Sequence, residues 1–456
     1  MQAELVIQKI RDAIVGTTYS GRTYIVGGFV RDKILGRKGE DIDIVVDMPE
    51  GGIKLAKYLH EINICSKPVI YRNFGTALII VDGRKIELVM TRSENYRAEN
   101  RKPVVQSASL IEDIQRRDFT VNTLLMDIVS GQVLDLSGYA LSDIKSGIIR
   151  TTSDPDTTFK DDPLRMLRAV RFAGQLNFEI EENTKDAILQ NCEALNFISW
   201  QRKRDELSNM LLQKNPEKAL DYMINLKLMP FVIPELLPLI GMQQGEQHEH
   251  DVWQHTLKVI TSTRPKLELR LAALLHDVGK PQTKVFNNSG IHFYGHEAES
   301  RRMALQILKR LNYSSALTNR ISKVIFHHMR LKQAGAKSEI ISDKAIRKLI
   351  LQLGENLNLL LDLVHADNLN HAPDFRLPQQ IPNLKKRIKK MAKDFSINNL
   401  PINGRDIIYH LKIDSGERVG KLLDEAKEIW LEYPQITKNE ILSKLERRQK
   451  NGKQDQ

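Results

Sequence analysis

Residues 24–46 read YIVGGFVRDKILGRKGEDIDIVV, and this stretch decides the N-terminal fold. Tyr24-Ile25-Val26 is a short β-prone run that ends in Gly27-Gly28, and FVRDKIL continues at helical spacing. Ile42, Ile44, Val45 and Val46 make a second strand. In a strand, residues i and i+2 face the same way, so Asp41 and Asp43 stand side by side with Ile42 opposite. Two carboxylates that close repel unless something neutralises them. Mg²⁺ takes carboxylate oxygens and keeps positions open for phosphate. Two such ions, roughly 4 Å apart, can activate a hydroxyl and stabilise a leaving pyrophosphate. Gly27-Gly28 at a strand-to-helix turn adds bare backbone N–H groups, which favour anions. The competing reading is a surface turn with two solvated aspartates. Glu87 lies in the apolar strand KIELVM, where an acid needs a partner or faces outward.

Outward from that stretch, Thr76 to Val81 and Lys85 to Val89 flank Asp82-Gly83, a hairpin signal. From about Asp162 the texture turns helical, as in LRMLRAVRFAGQL and KAIRKLILQLGENLNLLLDLV. Strands first and helices later predict an α+β chain: a small mixed-sheet head, then an all-α body. The 456 residues carry a net charge of +11, which favours an anionic partner, nucleic acid before a membrane surface. Two cysteines, Cys65 and Cys192, exclude a disulfide scaffold and a four-thiolate zinc site, and suit a cytoplasmic location. No apolar run of about 20 residues exists to span a bilayer, so no membrane partner is expected. MQAELVIQKIRDAIV mixes charge with apolar residues, unlike a secretory signal.

GGFVRDKILGRKGEDIDIVV, residues 27–46, resembles a motif of the class II tRNA nucleotidyltransferase and bacterial poly(A) polymerase family. FGTALII, IELVMTRSENY, RKP at Arg101 to Pro103, RRDFTVNTL at Arg116 to Leu124 and DDPLRMLRAVRFA at Asp161 to Ala173 look like that family in the same order. HTL, HDVGKP, GHE, INGRDII and GERVGKLL extend the likeness over nearly the whole chain. The resemblance implies a polymerase β-like nucleotidyltransferase head that adds 3′-terminal CCA to tRNA from CTP and ATP. It implies that Asp41 and Asp43 hold two Mg²⁺, with Glu87 as third carboxylate. Gly27, Gly28 and Arg31 would contact the triphosphate; Arg117, Asp118 and Asn122 would approach sugar and phosphates. A salt-bridge cluster at a domain joint is the alternative for those last residues.

Asp161 and Asp162 precede Pro163-Leu164-Arg165 at a helix start, where an aspartate is also a standard cap. In the family it resembles, this acid and Arg165 read the base. Aspartate accepts from the exocyclic amine that cytosine and adenine share, and a site built this way rejects UTP and GTP. Arg168 and Arg171 continue a basic stripe, for phosphate contact or for salt bridges. The chain departs from many relatives at Asp161, at Gln201-Arg202 and at Ser137-Gly138-Tyr139, which bears on nucleotide order more than on catalysis.

His255, His276, Asp277 and Asp367 are spaced like the HD superfamily of metal-dependent phosphohydrolases, and His296 and His328 resemble ligands of a second metal. Imidazole and carboxylate without thiolate suit a divalent transition metal or Mg²⁺. The implied substrates are terminal or 2′,3′-cyclic phosphates on RNA ends. His248, His250 and His327 lie nearby as supporting or solvent-facing groups. LKKRIKKMAKDF at Leu384 to Phe395 fits an amphipathic helix with a basic face, for RNA backbone or for solvent. The expected division is a head over 1–145, a neck over 146–240, an HD domain over 241–372 and a tRNA-binding tail over 373–456. An enzyme adding only CC or only A, and a poly(A) polymerase, are the nearest alternatives, though no GRRF-type signature follows Asp43. A phosphohydrolase whose head only positions RNA is the alternative from another class.

Overall fold

A computed structural model of the chain describes residues 2–39, 41–97, 100–245, 248–288, 290–331, 341–391 and 400–451; the side chains of 94–105, and with them the RKP segment, lie outside the described set. Two compact units emerge, Met1–Pro234 and Glu235–Gln456.

The first unit opens with α1 (Gln2–Ile14), β1 (Thr23–Val26), α2 (Gly28–Ile34), β2 (Ile42–Val46) and α3 (Gly51–Glu61). It continues through β3 (Val69–Tyr71), β4 (Thr76–Val81), β5 (Arg84–Met90), β6 (Arg92–Arg97), β7 (Asn100–Ser107), α4 (Leu110–Gln115), β8 (Leu125–Asp127), β9 (Val133–Leu134) and α5 (Ala140–Ser146). Seven strands form one sheet in the order β3-β4-β5-β2-β1-β8-β9. β2 and β5 run parallel, joined across α3, while the other neighbours in the sheet are antiparallel. The sheet is therefore mixed, as expected. β2 lies at its centre, and Ile42, Ile44, Val45 and Val46 are buried on both faces. The β4–β5 turn has Asp82 at φ 49° and Gly83 at φ 80°, the left-handed pair that suits a two-residue hairpin.

Beyond the sheet come β10 (Ile148–Ile149), α6 (Pro155–Asp161), α7 (Leu164–Leu176), β11 (Glu179–Ile180), α8 (Glu182–Asn191), α9 (Trp200–Leu211) and α10 (Glu217–Asn225). The parallel pairing of β10 with β11 brackets α7. α7 buries Met166, Leu167, Ala169, Val170 and Ala173, which leaves Arg165, Arg168 and Arg171 along its less buried side.

The second unit holds α11 (Val252–Thr261), α12 (Leu267–Leu275), α13 (Lys280–Thr283), β12 (Lys284–Asn287), β13 (Gly290–Phe293), α14 (His296–Arg310) and α15 (Ser315–His327). α16 (Asp343–Leu353), α17 (Leu357–Leu369), α18 (Gln380–Met391), α19 (Gly404–Leu411), α20 (Glu417–Glu432) and α21 (Lys438–Asn451) complete it. Among the described residues, the body is helical except for the ribbons β10–β11 and β12–β13. Trp430 is buried in an apolar cluster with Ile407, Ile429 and Ile441, so it packs a core and does not offer a stacking face. α18 covers 384–391 of the basic segment: Ile381 and Leu384 are buried and Lys386, Lys389 and Lys390 exposed, while 392–395 lie outside the described residues. No helix among the described residues is long and apolar enough to cross a membrane.

Candidate active site and candidate metal centre

Gly27 ends β1 and caps α2 with φ 70° and ψ −136°, a backbone that side chains rarely adopt. On the next strand, Asp41 is exposed at the start of β2 and Asp43 is partly buried within it. The parallel register sets Glu87 opposite Asp43. The three acids that the sequence singled out thus share one end of the central strands. Burial pushes the Asp43 carboxyl up to about 6, the Glu87 and Asp41 charges push the same way, and Arg117 opposes them. A group held back from ionising by neighbouring acids suits a divalent cation, whose charge reverses that effect.

Around this acidic strand end lies a chain of paired cations. Arg31 is buried, with Nη1 donating to Asn122 Oδ1 at 2.7 Å and Nη2 2.8 Å from Asp32 Oδ1. Asn122 Nδ2 donates to Asp118 Oδ1 at 3.1 Å, and Arg168 donates to Asp118 Oδ2 from Nε at 2.8 Å and Nη2 at 2.6 Å. Burial would raise the Asp118 carboxyl, but Arg168 and Asn122 hold it below the ordinary range. Arg171 Nε sits 2.6 Å from Glu206 Oε2, and Arg31, Arg168 and Arg171 all face the Phe172 ring. Arg168, Arg171 and Asp118 are therefore ion-paired with one another or with Glu206, the salt-bridge alternative for these positions.

Two acids that bind this network were missed in the sequence. Asp113, 1% exposed, pairs with Arg116 Nη2 at 2.6 Å and Arg117 Nη2 at 2.9 Å. Its spacing of three and four residues on a helical register was the available signal. Glu206 on α9 had none, because only the packing of α9 on α7 brings it close.

Asp161 ends α6 and is exposed, and Asp162 follows it ahead of α7. Asp162 caps, as expected: its Oδ1 accepts from Leu164 N–H at 3.2 Å. Its other oxygen pairs with Arg202 Nη2 at 2.7 Å, so one of the departures supplies a partner to the acid expected to read the base. Arg165 donates to the Arg116 carbonyl at 2.7 Å. At the other departure, Asp135 holds the turn by accepting from the Ser137 hydroxyl and the Gly138 and Leu141 N–H groups.

In the second unit, six predicted residues converge, all buried: His255, His276, Asp277, His296, His328 and Asp367. Two sets, His255–His276–Asp277 and Asp277–His296–His328, each place three ligand atoms within 4.8 Å of one another, and Asp277 belongs to both. Among the described residues these are the gathered sets; the head acids are not so close. The Nδ1 atoms of His276, His296 and His328 lie 2.8, 2.8 and 2.6 Å from the carbonyl oxygens of Ala273, Phe293 and Ile325. That contact places the proton on Nδ1 and turns a lone pair on Nε2 toward Asp277. The Nε2 atoms of His296 and His328 are then 3.3 Å apart, lone pair toward lone pair, an arrangement a shared cation relieves. Asp367 Oδ1 lies 3.1 Å from His255 Nε2, and burial pushes His255 down to about 4, keeping the imidazole neutral as a ligand must be. The residues present fit a divalent cation of nitrogen-and-oxygen preference.

Two neighbours of this cluster were not foreseen. Lys280 Nζ, 2.7 Å from Asp277 Oδ2, also donates to Gln244 Oε1 at 2.6 Å. His371 lies 3.5 Å from Asp367. His248, expected as a nearby supporting or solvent-facing group, packs edge-on against His255 and His371.

Comparison with known proteins gives three family matches in chain order. They are the poly A polymerase head domain over 23–150, the probable RNA and SrmB-binding site of polymerase A over 177–240, and the HD domain over 252–370. The CC-adding tRNA nucleotidyltransferase of Thermus thermophilus is 28% identical over 428 residues, 91% of each chain. The CCA-adding enzymes of Ligilactobacillus salivarius and Lactobacillus helveticus are 37% and 36% identical, over 49% and 50% of this chain and 52% and 54% of theirs. The chain thus matches about half the length of these two. The Bacillus stearothermophilus CCA-adding enzyme solved with CTP shares the fold, with a TM-score of 0.72 at 22% identity over 100% of this chain and 98% of that one. A tRNA nucleotidyltransferase solved with a primer tRNA and an incoming ATP analogue aligns at 25% identity and TM-score 0.56, over 81% of this chain and 96% of that one.

Proposed function

We propose that this chain, which belongs to the tRNA nucleotidyltransferase and poly(A) polymerase family with an HD domain, adds CCA to the 3′ end of tRNA from CTP and ATP. The observation that carries the reading is the parallel β2–β5 register, which sets Glu87 beside Asp43, one residue from Ile42 and two from Asp41. Asp41, Asp43 and Glu87 would hold two divalent cations, Mg²⁺ by our reading. When bound, the cations supply charge to the attacking 3′-hydroxyl and the leaving pyrophosphate. Asp43, held up near 6, would be fully ionised only beside such a charge. The Gly27-Gly28 backbone would cradle the triphosphate, with Arg31 and Arg117 as its cations. Asp118 and Asn122 would fix Arg31 and Arg168 at the sugar side. Asp161, Asp162 and Arg165 would meet the base; Asp162, already accepting from Arg202 and Leu164, retains lone pairs for the exocyclic amine of C or A. Arg168 and Arg171 would hold that helix in place. The work divides along the chain as head 1–145, neck 146–240, HD domain 241–372 and tail 373–456.

At the second cluster we read a phosphohydrolase acting on RNA-end phosphates, with its cation held by His255, His276, Asp277, His296, His328 and Asp367. A second reading of the head, addition of CC alone, is favoured by one observation: the relative matched over 91% of both chains is a CC-adding enzyme. The test supplies purified protein with tRNA lacking its 3′ end, Mg²⁺, and each NTP singly and mixed, followed by sequencing. CCA ends are expected. Ends that stop at CC with ATP present select the second reading, and long A runs overturn both.

A further inference from the structure

β12 and β13 form a two-stranded ribbon inserted between ligands Asp277 and His296 of the metal cluster. Cross-strand pairs are Lys284↔Phe293 and Phe286↔Ile291, which share one face because partners and alternate residues point alike. Phe286 is 80% exposed, and Lys284 is exposed beside it. The base of the same face reaches the cluster twice. The Phe293 carbonyl contacts His296 Nδ1 at 2.8 Å, and Lys280 Nζ lies 5.3 Å from the centre of the Phe293 ring. Lys280 is the cation paired with Asp277. An apolar path therefore runs from an open aromatic ring, over Ile291 and Phe293, to a cation at the metal ligands. A globular chain gains nothing in its own packing from a large aromatic left this open.

We infer that this ribbon face is a stacking platform for the terminal nucleosides of single-stranded RNA whose end phosphate lies at the histidine cluster. The inference rests on the phosphohydrolase reading of that cluster. Three features favour RNA as occupant. A base stacks on an aromatic ring without sequence preference. Lys284 stands exposed on the face with positive charge, as a phosphate backbone requires. The face also continues directly into a site suited to phosphate esters.

The experiment uses the full chain and a single-stranded RNA pentamer ending in a 3′-phosphate, with Mn²⁺ content measured in parallel. In Phe286→Trp, the emission added over the wild-type chain should be quenched on titration with the pentamer. Phe286→Ala should bind it about tenfold more weakly, the loss of roughly one stacked base, with CCA addition and Mn²⁺ content unchanged. Unquenched emission or unaltered affinity in Phe286→Ala overturns the platform. So does a change in self-association with affinity unaltered, which assigns the face to a second copy of the chain. A wild-type chain that takes up no Mn²⁺ overturns the metal reading on its own, because quenching reports the ring and not the ion.

Discussion

Asp43 and Asp277 carry the two proposed chemistries, and each can be removed alone. Asp43 faces Glu87 across β2–β5, whereas Asp277 is common to both histidine sets. Losing a carboxylate that holds a catalytic cation removes several kcal/mol of charge stabilisation, about a thousandfold or more in rate. Asp43→Ala should therefore abolish nucleotide addition and spare hydrolysis of a 3′-phosphorylated oligonucleotide, while Asp277→Ala does the reverse. Loss of both activities in either variant refutes independent sites. Asp113 makes a different prediction. Burial raises its carboxyl, but Arg117 and Arg116 overcome that and hold it below the ordinary range. A depressed folded-state value means that the stabilisation is complete above about pH 4, the unfolded value, and is lost as pH falls through the lowered one. Breaking a buried pair costs about 3 kcal/mol or more. Asp113→Asn should lower stability by that order at pH 7, and its acid-unfolding curve should be flatter than the wild-type curve below pH 4. Parallel curves would show that this pair does not govern acid stability.

At the scale of elements, β1, α2, β2 and the β4–β5 hairpin were legible because each is set by local pattern: apolar runs, a glycine turn, Asp82-Gly83. α7 spans LRMLRAVRFAGQL, the periodic stretch itself. The second such stretch breaks into α16 and α17 at Gly354, φ 53°, since a positive φ ends the helix there. β8, β9 and the two ribbons were not read, because short strands acquire their identity from distant partners. The site residues divide the same way. Motif residues could be read along the chain, and His371 lies four residues beyond Asp367, whereas Glu206 and the pair Arg202 with Asp162 meet only through packing. α3 shows how closely that packing supports the acids. A Cβ on Gly52 would lie 2.4 Å from the Leu88 carbonyl oxygen, next to Glu87. Gly52→Ala must push α3 away from β5, at a cost of about 1–3 kcal/mol. Denaturant unfolding should show that loss, with nucleotide addition falling further than the unfolded fraction explains. Unchanged stability would mean that the helix gives way freely.

For the molecule as a whole, the two sites draw on opposite kinds of electrostatics. The net charge of +11 is spread over exposed side chains such as Lys386, Lys389 and Lys390, which suit a polyanion and act by counterion release. The histidine cluster is buried and would hold a cation through directed lone pairs, which salt screens little. Salt should therefore separate the two functions. If tRNA binding neutralises about six phosphates, raising salt from about 50 to 200 mM weakens it on the order of a thousandfold. Replacing Lys386, Lys389 and Lys390 by Gln lowers the slope of log affinity against log salt by up to about one for each lysine that meets a phosphate. Over the same range, the thermal stabilisation by saturating Mn²⁺, which acts by mass action on the folded chain, should hardly change and should vanish in Asp277→Ala. A tRNA affinity indifferent to salt would place recognition in shape and base contacts, and leave the excess of lysine and arginine without a partner.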